Sequence, residues 1–244
     1  MNILITAGGT KEQIDSVRSI ANHGTGRLGA KIADAFAGES AVSHIAYVCG
    51  PNAVLPETEK AELCPIRGTR DLEAVIRRLT GARRYDVIIH SMAVSDYRVK
   101  TVTTVSEIAG AVKGAEDPAA VLSSMEGFDQ NGKLSSSIPD LAVLLERTPK
   151  IIGMLRELAP DAVLVGFKLL DHVPHAELME VAGRLLTAND CDFVLANDME
   201  TVNSPCHVGF LLDRAGSAVE CRGKDAIAAG IVRAVMENRK AGAR

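Results

Sequence analysis

Short apolar runs alternate with amphipathic runs along most of the chain. Asn2–Thr6 is a compact apolar segment ending in a glycine turn, and it predicts a strand. Arg27–Ala37 sets Leu28, Ile32, Ala33 and Phe36 on one helical face. Ser43–Cys49 predicts a second strand. Asp71–Leu79 predicts a helix with Leu72, Val75, Ile76 and Leu79 aligned. Further strands are expected at Asp86–His90, Ala162–Leu169 and Asp192–Ala196, with a helix at Ala176–Thr187. His207–Asp213 and Ala218–Cys221 form an expected hairpin turning at Arg214-Ala215-Gly216, and Asp225–Asn238 an expected closing helix.

Strands alternating with helices imply an α/β fold: a Rossmann-like, mostly parallel sheet with helices on both faces. The late hairpin adds antiparallel edge strands. The stretch from about 98 to 140 breaks the pattern. It is rich in Thr, Ser, Gly and Glu and has little periodicity, so it is expected to be a flap or lid inserted into a single domain spanning 1–244.

Composition narrows the function classes. A hydrophobic content of 47% over 244 residues is enough for a sizeable core. No apolar run approaches the roughly 18 to 20 residues of a membrane span. Met1–Thr6 has no basic leader, so no signal peptide is expected. The net charge of −4 argues against a nucleic-acid partner. Arg83-Arg84 is an isolated basic pair. Cys49, Cys64, Cys191, Cys206 and Cys221 form no CxxC pair, and Cys206-His207 lacks a chelating spacing; reduced thiols in a cytoplasmic protein and no metal site are expected.

Ligands of an open parallel sheet bind beyond the carboxyl ends of its strands. Four strands here end in distinctive sequence. The first ends in Gly8-Gly9, which allows close backbone approach. A loop then reaches Gly24-x-Gly26-x-x-Gly29, which opens a helix suited to an anion. That string lies about 20 residues past its strand, whereas the dinucleotide fingerprint follows immediately. The second strand ends at Cys49-Gly50 without an acidic residue for a ribose, and Tyr97-Arg98-Val99-Lys100 is one residue too short for the dehydrogenase Tyr–Lys spacing. An NAD(P)-linked reductase is disfavoured. The strand at Asp86–His90 leads to Asp96, either a metal or substrate ligand or a loop cap, and His90 is as readily a core residue. Phe167-Lys168 suits a base and a phosphate, although Phe167 alone reads as core. Asn197-Asp198 suits a base edge or a plain turn. No Ser/His/Asp or Cys/His set stands out.

Ile5-Thr6-Ala7-Gly8-Gly9-Thr10, followed by Ile14-Asp15-Ser16-Val17-Arg18-Ser19-Ile20-x-Asn22-His23-x-x-Gly26, resembles phosphopantothenate–cysteine ligase. His90-Ser91-Met92-Ala93-Val94-Ser95-Asp96-Tyr97, Lys133-Leu134-Ser135-Ser136, Thr148-Pro149-Lys150-Ile151, Val165-Gly166-Phe167-Lys168 and Ala196-Asn197-Asp198 are similar to its other motifs, in order. The likeness covers nearly the whole chain and is to the stand-alone form, without a flavin-binding decarboxylase half and without flavin.

The resemblance implies that a nucleoside triphosphate, CTP or ATP with Mg2+, activates 4′-phosphopantothenate for ligation to L-cysteine. It implies catalytic roles for Asn22 and Lys133, with Lys133 on a mobile loop that closes over the reacting phosphate. Arg18, Asn22, Met92, Ala93 and Asp96 would bind substrate. Gly8, Gly9, Gly24, Gly26 and Gly29 would line the phosphates, and Phe167, Lys168 and Asn197 would hold the nucleotide. It also implies a homodimer, with Thr101–Gly110 in the arm that reaches the other subunit. The chain departs from the pattern where Ser136 stands near a second family lysine, and where Arg184, Ala188 and Asn189 leave the basic residues before Asn197 thinned. A nucleotide or pantothenate sensor without turnover is the alternative; a flavoprotein decarboxylase would need a catalytic His and a Cys-bearing loop that the sequence does not offer.

Overall fold

The first strand sets the layout. In Asn2–Ala7 (β1), Ile3, Ile5 and Ala7 face one side and Leu4 the other, and all four are fully buried. A strand apolar on both faces belongs inside a sheet covered by helices on both sides. The computed structural model describes residues 1–202, 204 and 206–242. After β1 come two short strands, β2 (Lys11–Gln13) and β3 (Ser19–Ala21), then α1 (Arg27–Ala37), β4 (His44–Cys49), β5 (Ala61–Pro65), α2 (Thr69–Ala82) and β6 (Val87–His90). The chain continues through β7 (Tyr97–Thr104), α3 (Val105–Val112), α4 (Pro118–Ser124) and β8 (Leu141–Arg147). It closes with α5 (Ile151–Leu158), β9 (Val163–Leu170), α6 (His175–Ala188), β10 (Phe193–Asp198), α7 (Met199–Val202), β11 (Val208–Asp213), β12 (Ala218–Arg222) and α8 (Lys224–Gly242).

Eight strands form one sheet in the order β12-β11-β10-β9-β6-β1-β4-β5. The six from β10 to β5 run parallel; β11 and β12 add antiparallel pairs at one edge. The order reverses between β1 and β6, which makes their carboxyl ends the switch point of the sheet. One face is covered by α1 and α8, whose Ile32, Phe36, Ile227, Ile231 and Val235 pack with Ile3, Ile5 and Ile89. The other is covered by α2, α5 and α6, through Leu72, Ile76, Leu155, Leu178 and Ala182 against Leu4 and Ile88. The expected mostly parallel sheet, helices on both faces and late hairpin are all present.

The irregular stretch is ordered and longer than its composition indicated. β7 and β8 pair antiparallel from Tyr97–Arg147 to Thr104–Leu141, with a bulge between Val99 and Thr101, so the excursion runs from 97 to 147. Its threonines hid it. Thr101 and Thr103 are buried strand residues whose hydroxyls bond to the Met125 carbonyl and to Glu107. Thr104 caps α3 in a reciprocal capping box with Glu107. Among the described residues, no helix is long and apolar enough to cross a membrane.

Candidate active site

The floor of the site is a set of buried polar residues at the switch point. Thr6, Thr10, His90 and Ser95 are all buried there. Thr6 Oγ1 lies 2.8 Å from His90 Nδ1, and burial pushes the His90 imidazole down to about 4, so it is neutral at ordinary pH. The Ser91 hydroxyl donates to the Thr6 carbonyl at 2.7 Å. Beyond the strand ends, Gly9 and Ala93 form a parallel bridge: Ala93 N–H donates to Gly8 O at 2.8 Å and Thr10 N–H to Ala93 O at 3.1 Å. Both backbone groups of Ala93 are therefore committed to joining the two strand ends. Met92 is buried beneath them, its N–H 3.4 Å from Thr6 Oγ1.

Three glycine-bearing loops, at Gly8-Gly9, Gly24–Gly26 and Gly50, stack above this floor. A Cβ on Gly9 would stand 2.1 Å from the Asn22 carbonyl oxygen, and one on Gly24 would stand 2.3 Å from Gly8 O. Gly8, at φ +87°, adopts a left-handed backbone that other residues rarely take. The third glycine of the string, Gly29, is buried, and a Cβ there would meet Ala7 Cβ at 2.6 Å and Ser91 Oγ at 2.9 Å. Its need is close helix-to-strand packing. Gly26, also left-handed, is the N-cap of α1, with no side-chain cap and no acidic residue in the first turn; that helix start remains open to an anion. Asn22 directly follows β3 and is held by its N–H on Thr10 O at 3.1 Å, so the β2–β3 hairpin presents it at the rim.

Asp96 lies at the same rim. Lys150 Nζ is 2.5 Å from its Oδ1, and both side chains are mostly exposed. Such an exposed pair contributes roughly 0 to 1 kcal/mol, so its interest lies in position. The position is set by the backbone: Thr148 Oγ1 donates to Ser95 O at 2.6 Å, and Thr148 N–H to Asp96 O at 3.0 Å. Thr148 and Lys150 were visible only as a family motif; the structure fastens them to the Asp96 loop. Along the next strands, Phe167 packs half-buried against the core on the α1 and α8 face. The Asn197 amide is buried and donates to Lys168 O at 3.2 Å, while His207 Nε2 lies 3.2 Å from its Oδ1. Asp198 accepts from the N–H groups of His172, Val173 and Glu200, which makes it a turn organiser.

Arg18 and the loop that carries Lys133 meet at Asp15 and Leu134, two motif residues to which the resemblance gave no role. Arg18 pairs with Asp15 at 2.6 Å and also donates to the Leu134 carbonyl at 3.2 Å. Lys133 itself is exposed. Two concavities, of 330 and 370 Å³, lie elsewhere: one beside Arg83, Tyr85 and Pro160, the other between α8 and the β11–β12 hairpin. Neither gathers the polar groups found at the switch point, where an open α/β sheet binds its ligands. Among the described residues, no group of three or more His, Cys, Asp or Glu is placed to hold a metal ion.

The family described as DNA/pantothenate metabolism flavoprotein C-terminal domain matches residues 1–107 and 119–238. The chain belongs to that family. Among curated members, the coenzyme A biosynthesis bifunctional protein CoaBC of Thermococcus kodakarensis is 31% identical over 202 residues, which is 83% of this chain and 42% of that protein. The CoaBC protein of Bacillus subtilis is 26% identical over 199 residues, 82% of this chain and 40% of its own length. The chain thus spans about two fifths of the length of these relatives. A solved structure, the DNA/pantothenate metabolism flavoprotein from Streptococcus pneumoniae, superposes with a TM-score of 0.82 at 32% identity, covering 98% of this chain and 99% of that one. A Cab2 mutant in complex with phosphopantothenate-cysteine shares the fold, with a TM-score of 0.72 at 18% identity over 98% of this chain and 86% of its own. In this family member, then, the rim carries Asn22, Asp96 and Lys150, and the glycines after the first strand let the loops stack closely.

Proposed function

We propose that the chain joins 4′-phosphopantothenate to L-cysteine at the expense of a nucleoside triphosphate, as a phosphopantothenate–cysteine ligase in coenzyme A biosynthesis. The observation that carries the reading is that the Asn22 hairpin and the loop bearing the Asp96–Lys150 pair are both tied to Thr10 at the β1–β6 switch point, in a chain of this family. The names of the curated relatives point to the same pathway, and phosphopantothenate-cysteine is the expected product.

Two steps follow. A carboxylate oxygen of the substrate attacks the α-phosphorus, and the bond to pyrophosphate breaks. The cysteine amine then attacks the acyl carbon of the mixed anhydride, losing a proton as the nucleoside monophosphate leaves. Negative charge on the α-phosphate needs donors already in place. The uncapped start of α1 supplies backbone N–H groups, and Lys133 and Lys150 supply cations. Asn22 is an amide donor for the carboxylate and the acyl-nucleotide. Phe167 and Lys168 would face base and phosphate; the Asn197 side chain, bonded to Lys168 O, would act by fixing that strand end. Mg2+ would enter with the triphosphate and use Asp96 as its protein carboxylate, a fit to the preference of that ion for phosphates and one or two carboxylates. CTP and ATP are the two cosubstrate candidates, and no flavin is needed. The proposed setting is the cytoplasm, where five free thiols would stay reduced.

The arm is the proposed dimer contact. Neither α3 nor α4 buries a residue, and Val105 and Leu145 are 54% and 45% exposed. Pyrophosphate release with 4′-phosphopantothenate, Mg2+ and CTP or ATP tests the ligase. Continuous release that needs cysteine, with one nucleotide preferred, supports it. No release from folded protein with either nucleotide removes it and leaves a sensor.

A further inference from the structure

Asp15 sits in the turn between β2 and β3, among residues that are mostly exposed, yet its own side chain is 0% exposed. A buried carboxylate is costly unless its oxygens are satisfied. Here they accept five hydrogen bonds. Oδ1 accepts from the N–H groups of Val17 at 2.9 Å and Arg18 at 2.6 Å. Oδ2 accepts from Arg18 Nε at 2.9 Å, Arg18 Nη2 at 2.6 Å and Leu134 N–H at 3.1 Å. The first two make an ordinary Asx turn. The last does not belong to any turn: Leu134 is 119 residues away.

The same loop is tied twice more. Arg18 Nη2 donates to the Leu134 carbonyl at 3.2 Å, and Ser16 N–H donates to the Gly132 carbonyl at 3.3 Å. The Leu134 side chain is buried. Both neighbours of Lys133 are thus fastened to the hairpin that ends at Asn22, while Lys133 stays exposed. A lysine on a four-carbon stem reaches a phosphate productively only if its backbone is held.

We propose that Asp15 is a positioning residue that latches the Lys133 loop onto the Asn22 hairpin, so that the two reactive side chains arrive as one unit. Arg18 is the second member of the latch, bridging Asp15 and Leu134. The proposal rests on the ligase reading for its catalytic consequence, but the latch itself is a property of the fold.

The test compares wild type, Asp15→Asn and Asp15→Ser, the last chosen because a serine keeps the local turn while losing reach to Leu134. Limited trypsin digestion, followed by mass spectrometry, reads cleavage of the Lys133–Leu134 bond, with cleavage after Arg214 as the internal control. Both variants should cut at least tenfold faster at Lys133 and unchanged at Arg214. In the ligase assay both should lose at least tenfold in kcat, with KM for phosphopantothenate within twofold. In a Lys133→Ala background Asp15→Asn should cost nothing further. Unchanged cleavage at Lys133 overturns the latch. A loss that multiplies with Lys133→Ala overturns its action through Lys133. If wild type releases no pyrophosphate, the ligase reading fails while the digestion still decides the latch.

Discussion

The central sheet and the arm solve opposite problems. In the sheet, β1 and β6 are buried on both faces, and Ile3, Leu4, Ile5, Ile88 and Ile89 are fully enclosed. In the arm, β7 is buried only through Val102 and its threonines, and α3 and α4 bury nothing. The sheet carries its own stability; the arm is held by one antiparallel pairing, a capping box, a few hydroxyls and the bonds of its Gly132–Leu134 loop to Asp15, Ser16 and Arg18. An element without a core of its own opens and shifts at low cost, which is what a loop acting on a substrate or a second subunit needs.

The largest expected contrast is in stability. Ile89→Ala should cost about 2 to 5 kcal/mol in chemical denaturation, because the cavity opens at the sheet centre. Val105→Ala in the arm should stay within about 0.5 kcal/mol for the monomer. Equal losses would erase the distinction between the regions.

A pH effect comes next. The folded-state value of His90 lies near 4, below the 6.5 of a free imidazole, because burial penalises the charged form. Between those values the unfolded chain binds more protons, so stability is full above about pH 6.5 and falls as pH drops toward 4. His207, also buried and also lowered to about 4, adds to the same slope. His90→Gln should flatten the fall in melting temperature over this window. A slope unchanged in that variant would show that His90 is solvated.

A smaller effect belongs to the nucleotide end. Phe167→Ala should raise KM for the nucleotide by roughly five- to a hundredfold if the ring stacks on a base, the range expected for base–aromatic stacking of about 1 to 3 kcal/mol. A KM that stays put while stability drops would make Phe167 purely a core residue of the α1 and α8 face. The smallest concerns association: Val105→Glu should turn a dimer into a monomer in light scattering while leaving the monomer's fold intact. A wild type that is already monomeric would remove the arm from any subunit contact.

The same contrast decided what the sequence could show. β1, β4, β6, β9 and β10 announce themselves because each is a short apolar run bounded by glycine or polar residues, and α1, α2, α6 and α8 because an apolar face repeats at helical spacing. The arm was missed as structure because β7 is built on Thr101 and Thr103, polar letters that bury their backbones while their hydroxyls find partners. β5 escapes the pattern because it is an edge strand that buries only Cys64, and α5 because its eight residues bury only Ile151 and Leu155. At the site, the placement of Asp96 and Asn197 near strand ends was legible from the strand pattern, whereas Asn22 stood out only through the family resemblance and Phe167 lies inside β9. The commitments of Ala93 to Gly8 and Thr10, of Asn197 to Lys168 and His207, and of Asp15 to Leu134 were not legible, because each joins residues far apart in sequence.

The most direct test of the ligase is the product itself. Purified chain incubated with 4′-phosphopantothenate, L-cysteine, Mg2+ and CTP or ATP should yield, by mass spectrometry, the amide of the two substrates together with one equivalent of nucleoside monophosphate. Asn22→Ala, folded as wild type, should form at least a hundredfold less, the loss expected when a transition-state donor is removed. Absence of the amide with both nucleotides, or an Asn22→Ala variant as fast as wild type, would contradict the assignment of this chemistry to the β1–β6 rim.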